Sequence, residues 1–121
     1  MKIETKHVAT AFGLVFSKRW IPDGSQSDVP FVLLHDSLGC VELWKDFPEL
    51  LANSFNRPVI AYDRLGFGQS ERRHELPALN FIEDEATTYF PLIKMALNIK
   101  EYFVLGHSVG GAMALNVAAI D

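Results

Sequence analysis

Gly106-His107-Ser108-Val109-Gly110 is a G-x-S-x-G pentapeptide. It follows the apolar run Tyr102-Phe103-Val104-Leu105 and precedes the small, helix-prone stretch Gly111 to Ala119. A serine on a sharp strand-to-helix turn has its hydroxyl lifted clear of the backbone and the following amide free. The chemistry this offers is nucleophilic attack on a carbonyl. Ser108 would supply the nucleophile, and Val109 an N–H for the oxyanion. The helix that starts there favours the developing negative charge. Gly106 and Gly110 flank the serine because the turn is tight and the helix must pack close to the strand.

Two more turns follow apolar runs. His35-Asp36-Ser37-Leu38-Gly39 comes after Phe31-Val32-Leu33-Leu34, and Asp63-Arg64-Leu65-Gly66-Phe67-Gly68-Gln69-Ser70 comes after Pro58-Val59-Ile60-Ala61-Tyr62. Such continuous runs are typical of parallel strands buried on both faces. The three turns should therefore emerge at one carboxyl edge of a sheet, where open α/β sheets bind ligands.

The elements that must carry these turns read as β-β-β-α-β-α-β-α. Residues 2–9 and 12–20 are extended, with Gly13 a candidate bulge. Leu43, Phe47, Leu50 and Leu51 fall on one helix face, with Asp46 as N-cap and Pro48 in the first turn. Asn80 and Glu83 have capping-box spacing. Behind them Ile82, Ala86, Tyr89, Ile93 and Leu97 form an apolar stripe, and Pro91 predicts a kink. Alternation in the second part predicts an α/β domain, with a mostly parallel sheet, helices on both faces and right-handed crossovers.

From about residue 12 onward the chain resembles the α/β-hydrolase family of serine hydrolases. His35 to Gly39 resembles the family's H-G-x-x-G oxyanion loop, with Asp36 standing where the family usually has glycine. Asp63 to Ser70 resembles its D-x-R-G-x-G-x-S segment, and Gly106 to Gly111 its nucleophile elbow. The resemblance implies that Ser108 is the catalytic residue, that Ser37 supplies a second oxyanion amide beside Val109, and that His35, Gly39, Gly106, His107 and Gly110 shape the loop and elbow. It implies an acyl-enzyme route on an ester or similar small-molecule carbonyl substrate. A serine disfavours the dehalogenase and epoxide-hydrolase branches, which use aspartate at this position. It leaves esterase, C–C hydrolase, thioesterase and cofactor-free haloperoxidase branches open. In family order the triad acid and histidine follow the serine. After Ser108 this sequence has no histidine and, as an acid, Asp121. Residues 1–121 thus read as the N-terminal half of a truncated α/β-hydrolase core.

A second reading is a catalytically inactive fragment that self-associates or needs a partner chain. The strand 102–105 lies at the sheet centre of the complete fold, and here it would be an exposed apolar edge inviting homo-oligomer pairing.

Bulk properties narrow the field. The chain has 121 residues, 49% hydrophobic and 21% charged, which suits one globular domain. The net charge of -4 and the absence of a basic block argue against nucleic acid. No apolar run is long enough to span a membrane, and the N-terminus lacks a signal-like h-region. The single Cys40, read as a helix-start residue, fits a reducing, cytoplasmic setting. No metal-ligand spacing or phosphate loop occurs, so the expectation is no metal and no cofactor. His107 and His35 are read as structural, His7 and His74 as surface residues, and Asp63 and Arg64 as a turn cap and ion pair. The cluster Glu71-Arg72-Arg73-His74-Glu75 is read as a solvated loop.

Overall fold

The computed structural model describes residues 1–73 and 79–120. His74, Glu75 and Asp121 lie outside the described residues. Five strands form one mixed sheet: β1 (Lys2–Thr10), β2 (Gly13–Ile21), β3 (Phe31–Leu34), β4 (Val59–Tyr62) and β5 (Phe103–Gly106). Their spatial order is β1-β2-β4-β3-β5. β2 pairs antiparallel with both β1 and β4, whereas β3 pairs parallel with β4 and β5. Four of the five strands therefore run the same way.

The β1–β2 hairpin turns over Ala11 and Phe12, and Gly13 pairs with Thr10. Gly13 has φ of 136°, a conformation open to glycine, and it closes the turn rather than forming a bulge. The Thr10 hydroxyl donates to the Gly13 carbonyl at 2.7 Å.

The chain moves from β3 to β4 through α1 (Phe47–Phe55), then returns past β3 to reach β5. Right-handed crossovers in opposite directions place their helices on opposite faces. On one face α1 covers Phe16, Trp20, Leu33, Val59 and Ala61 through Leu51 and Ala52. On the other, α2 (Phe81–Asp84), a π-helical turn (Glu85–Tyr89), α3 (Phe90–Ala96) and α4 (Val109–Ile120) face Val15, Val32, Leu34, Ile60 and Tyr62. Ala86, Phe90, Ile93, Met113 and Val117 fill that layer.

Three local expectations need correction. Leu43 does not share a helix with Leu51. Val41–Trp44 is a separate 3-10 turn, and Lys45 at φ 54° breaks the register before α1 begins. α1 consequently buries Pro48, Leu51 and Ala52, and leaves Phe47 and Leu50 outward. Asp46 occupies the N-cap without a side-chain cap bond, and Asn80 likewise makes none, so no capping box forms. The irregularity near Pro91 is taken up one turn earlier by the π-helical turn, and Pro91 itself sits in the first turn of α3. The stripe from Ile82 to Leu97 does pack on the core.

β5 forms one edge of the sheet. Phe103 and Leu105 on it are 51% and 37% exposed, and the Phe31 ring contacts both Phe103 and the exposed Phe55. No described helix is long and apolar enough to cross a membrane.

Candidate active site

The strand order reverses at β3, and the loops leaving β3 and β5 lie side by side at the carboxyl edge of the sheet. Such a switch point is where ligands of open α/β sheets bind. The two loops are in direct contact. His107 N–H donates to the Leu34 carbonyl at 3.1 Å. A Cβ built on Gly110 would lie 2.0 Å from that same carbonyl oxygen and 2.6 Å from that of His35. A Cβ on Gly106 would lie 2.0 Å from the Gly110 carbonyl oxygen. Both elbow glycines are thus required by backbone packed on backbone.

Ser108 sits between them at φ 57°, one of four described non-glycine residues with positive φ. Left-handed backbone at a residue with a Cβ costs roughly 1–2 kcal/mol. The turn is held by Gly110 N–H donating to His107 O at 2.9 Å and Gly111 N–H to Ser108 O at 2.8 Å. Val109 begins α4, so its N–H is among the first-turn amides that have no intrahelical acceptor. Ser108 itself is exposed.

The facing loop is built around Asp36. Its carboxylate accepts Leu38 N–H at 2.9 Å, and its carbonyl accepts Gly39 N–H at 3.1 Å. Neither bond uses the amide of Ser37, which lies at the exposed tip. Asp36, the residue in the family's glycine position, also turns Oδ2 toward the elbow, 3.7 Å from His107 Nδ1. Gly39 is tight as well, a Cβ there falling 3.1 Å from Asp36 N.

His35 is buried beneath the loop with both ring nitrogens engaged. Nε2 accepts the Arg64 N–H at 3.0 Å, and Nδ1–H donates to the Asp36 carbonyl at 2.7 Å. Burial, aided by the neighbouring Arg64 charge, lowers its pKa from 6.5 to about 4. The ring is therefore neutral and structural. A group whose folded pKa is depressed in this way holds more protons when unfolded between pH 4 and 6.5. Its stabilisation is full above pH 6.5 and is lost as pH falls toward 4, up to about 3 kcal/mol. Denaturant titrations of wild type and His35→Gln across that window should show the wild-type slope flattened in the variant. Parallel slopes would contradict the assignment.

Asp63 and Arg64 stand at the end of β4. The buried Asp63 carboxylate accepts Val41 N–H at 2.6 Å and Gln69 N–H at 2.8 Å, tying the 3-10 turn that follows the β3 loop to the loop after β4. The Ser70 hydroxyl donates to the Asp63 carbonyl at 2.5 Å and accepts Phe16 N–H at 2.8 Å. Asp63 is thus a turn cap, as its spacing suggests. Arg64 is not a simple ion pair: its guanidinium donates to the carbonyls of His35 and Asp36, the latter at 2.7 Å.

Glu85 and Tyr62 escaped the sequence reading. Tyr62 O–H donates to Glu85 Oε2 at 2.8 Å, both groups buried. Burial raises the Glu85 pKa, opposed by that hydrogen bond and by the Arg64 charge. Burial and the Glu85 charge likewise raise Tyr62. The available signal was a carboxylate placed on the apolar face between Ile82, Ala86 and Tyr89. Glu71 and Arg73 are also more than parts of a solvated loop. Glu71 accepts Leu14 N–H at 3.0 Å, and Arg73 donates to Tyr89 O–H at 2.8 Å.

The family model for the alpha/beta hydrolase fold matches residues 29–121, and the chain belongs to that family. It is 36% identical over 87 residues to the 1-acylglycerol-3-phosphate O-acyltransferase ABHD5 of Sus scrofa, covering 71% of this chain and 24% of that protein. It is 35% identical over 97 residues to the proline iminopeptidase of Heyndrickxia coagulans, covering 76% of this chain and 31% of that one. The solved proline iminopeptidase of Mycobacterium smegmatis superposes with a TM-score of 0.78 at 27% identity, over 95% of this chain and 39% of that one. The chain thus spans a quarter to two-fifths of these relatives.

Proposed function

We propose that Ser108 is the nucleophile of a serine hydrolase that acts on an ester or similar acyl carbonyl through an acyl-enzyme. The observation that carries the reading is Ser108 at φ 57°, exposed on a turn that opens α4 and packs against the loop after β3. Ser108 Oγ attacks the carbonyl carbon, the oxyanion is met by the amides of Val109 and Ser37, and collapse of that intermediate breaks the bond to the alcohol or amine, which leaves protonated while the acyl group stays on Ser108 for water to release. Two such donors strengthen as charge develops, each worth about 3 kcal/mol of barrier. The hydroxyl proton passes to a base other than His35, whose ring nitrogens are both engaged. The relatives' names, an O-acyltransferase and an iminopeptidase, share an acyl carbonyl as the reacting group, which supports this substrate class.

Incubation with p-nitrophenyl acetate and intact-mass analysis tests the reading. One acetyl group on the wild type and none on Ser108→Ala is the expected result. Equal acetylation of both folded proteins would overturn it.

We further propose that residues 1–121 are the N-terminal half of the hydrolase domain and that the open β5 edge accepts another strand, from more of the same domain or from a second copy. The exposed Phe103 and Leu105 support this. Sedimentation of the 121-residue chain distinguishes the two sources, since a monodisperse monomer excludes the second copy.

A further inference from the structure

The Asp36–Ser37 peptide is trans, so the Asp36 carbonyl and the Ser37 N–H point in opposite directions. The carbonyl accepts Arg64 Nη2–H at 2.7 Å and His35 Nδ1–H at 2.7 Å from the buried side, and Gly39 N–H at 3.1 Å from within the loop. The Ser37 amide is thereby turned outward. Arg64 is bidentate here, with its other nitrogen donating to the His35 carbonyl. The guanidinium also lies over the Phe67 ring, its Cζ 5.2 Å from the centroid.

Two more residues extend this chain of contacts into the core. Burial lowers the Arg64 pKa, and the Glu85 charge opposes that shift. Glu85 is in turn fixed by the Tyr62 hydroxyl at 2.8 Å. Glu85 belongs to the π-helical turn, where the wider winding brings an extra residue onto the buried face. A small cavity bordered by Arg64, Leu65, Glu85 and Tyr89 adjoins the pair.

We propose that Arg64, which borders the same small cavity as Glu85, is a positioning residue that aims the Ser37 N–H at the oxyanion by clamping the carbonyl of the same peptide. The proposal rests on the reading of Ser37 as an oxyanion donor. It adds that the donor's direction is set from the sheet interior and not by the loop alone.

The test uses the 121-residue chain as wild type, Arg64→Lys and Glu85→Gln. One-bond 1H–15N residual dipolar couplings report the direction of the Ser37 N–H. A lysine cannot hold two carbonyls in a planar fork. The Ser37 coupling should therefore change in Arg64→Lys, and less in Glu85→Gln, while couplings in β3 and β4 stay constant. Fluorophosphonate labelling of Ser108 should slow by roughly 10–100-fold in Arg64→Lys with unchanged apparent probe affinity. An unchanged Ser37 coupling in Arg64→Lys overturns the proposal. Should Arg64→Lys not fold, an unchanged coupling in Glu85→Gln overturns it. A coupling that responds in a chain whose wild type is never labelled at Ser108 overturns the nucleophile reading instead, which keeps the two failures apart.

Discussion

Replacing Gly110 with alanine is expected to cost the chain its folded state. The new Cβ would stand 2.0 Å from the Leu34 carbonyl oxygen and 2.6 Å from that of His35. Both obstacles are backbone, so no rotamer change relieves them. The Leu34 carbonyl is also the acceptor for His107 N–H, and moving it opens the elbow itself. Destabilisation of about 4 kcal/mol or more is expected, at the far end of single-substitution effects. Gly24→Ala is the matched control. Gly24 has positive φ at 65°, but nothing lies within 4 Å of its Cβ position. There the left-handed penalty acts alone, and about 1 kcal/mol should be lost. Thermal unfolding of the two variants by circular dichroism checks the contrast. Similar losses in both would mean that α4 does not approach β3 as closely as described.

The second large effect is expected at Asp63. Its carboxylate is the acceptor for two backbone amides from different loops, Val41 and Gln69, in a site 1% exposed. Gly68 packs against that carboxylate, a Cβ there falling 2.2 Å from Oδ2. Asp63→Ala leaves the buried Val41 N–H without a partner, at about 1–3 kcal/mol, and takes the acceptor from the part-exposed Gln69 N–H, at about 1 kcal/mol. A loss of about 2–4 kcal/mol follows, seen as a lower urea midpoint with an unchanged slope. Asp63→Asn retains one acceptor and opposes the other amide with a second donor, so it should fall between wild type and alanine. A loss below about 1 kcal/mol in Asp63→Ala would show that water reaches these amides and satisfies them.

These two residues also mark how far the sequence reading reached. The elbow was legible because G-x-S-x-G between an apolar run and a small-residue helix has few structural solutions. The strands β3, β4 and β5 were legible as continuous apolar runs, each within a residue or so of its expected position, but burial on both faces holds for β3 and β4 and not for the edge strand β5, where Phe103 and Leu105 are exposed. The start of α1 was less so, because Leu43 and Leu51 have helical spacing while the backbone change at Lys45 has no composition signal. The caps at Asp46 and Asn80 failed for a similar reason: a capping residue type does not guarantee a side chain turned toward the amides. Glu85 was missed because its partners are distant in sequence. A carboxylate on an apolar stripe can be seen locally, but the Tyr62 hydroxyl that explains it is reached only through the fold. Arg64 was read as an ion pair, whereas the fold gives its guanidinium two carbonyls.

The family match and the site geometry meet at the elbow. The match covers residues 29–121, from β3 through α4. Within it the loop after β3 and the turn after β5 are locked together through Leu34, His35, Gly110 and His107. Asp36 distinguishes this loop. Its carboxylate caps Leu38 and reaches toward His107, so a residue larger than glycine is accommodated by turning outward from the Arg64 side.

The most direct test of the account is fluorophosphonate labelling of the folded chain, with imidazole added as an external base and the modified peptide mapped. One phosphonyl group is expected, on Ser108, forming faster with imidazole and absent from Ser108→Ala. No modification of Ser108 in a chain shown to be folded, or equal labelling of the alanine variant, would contradict it.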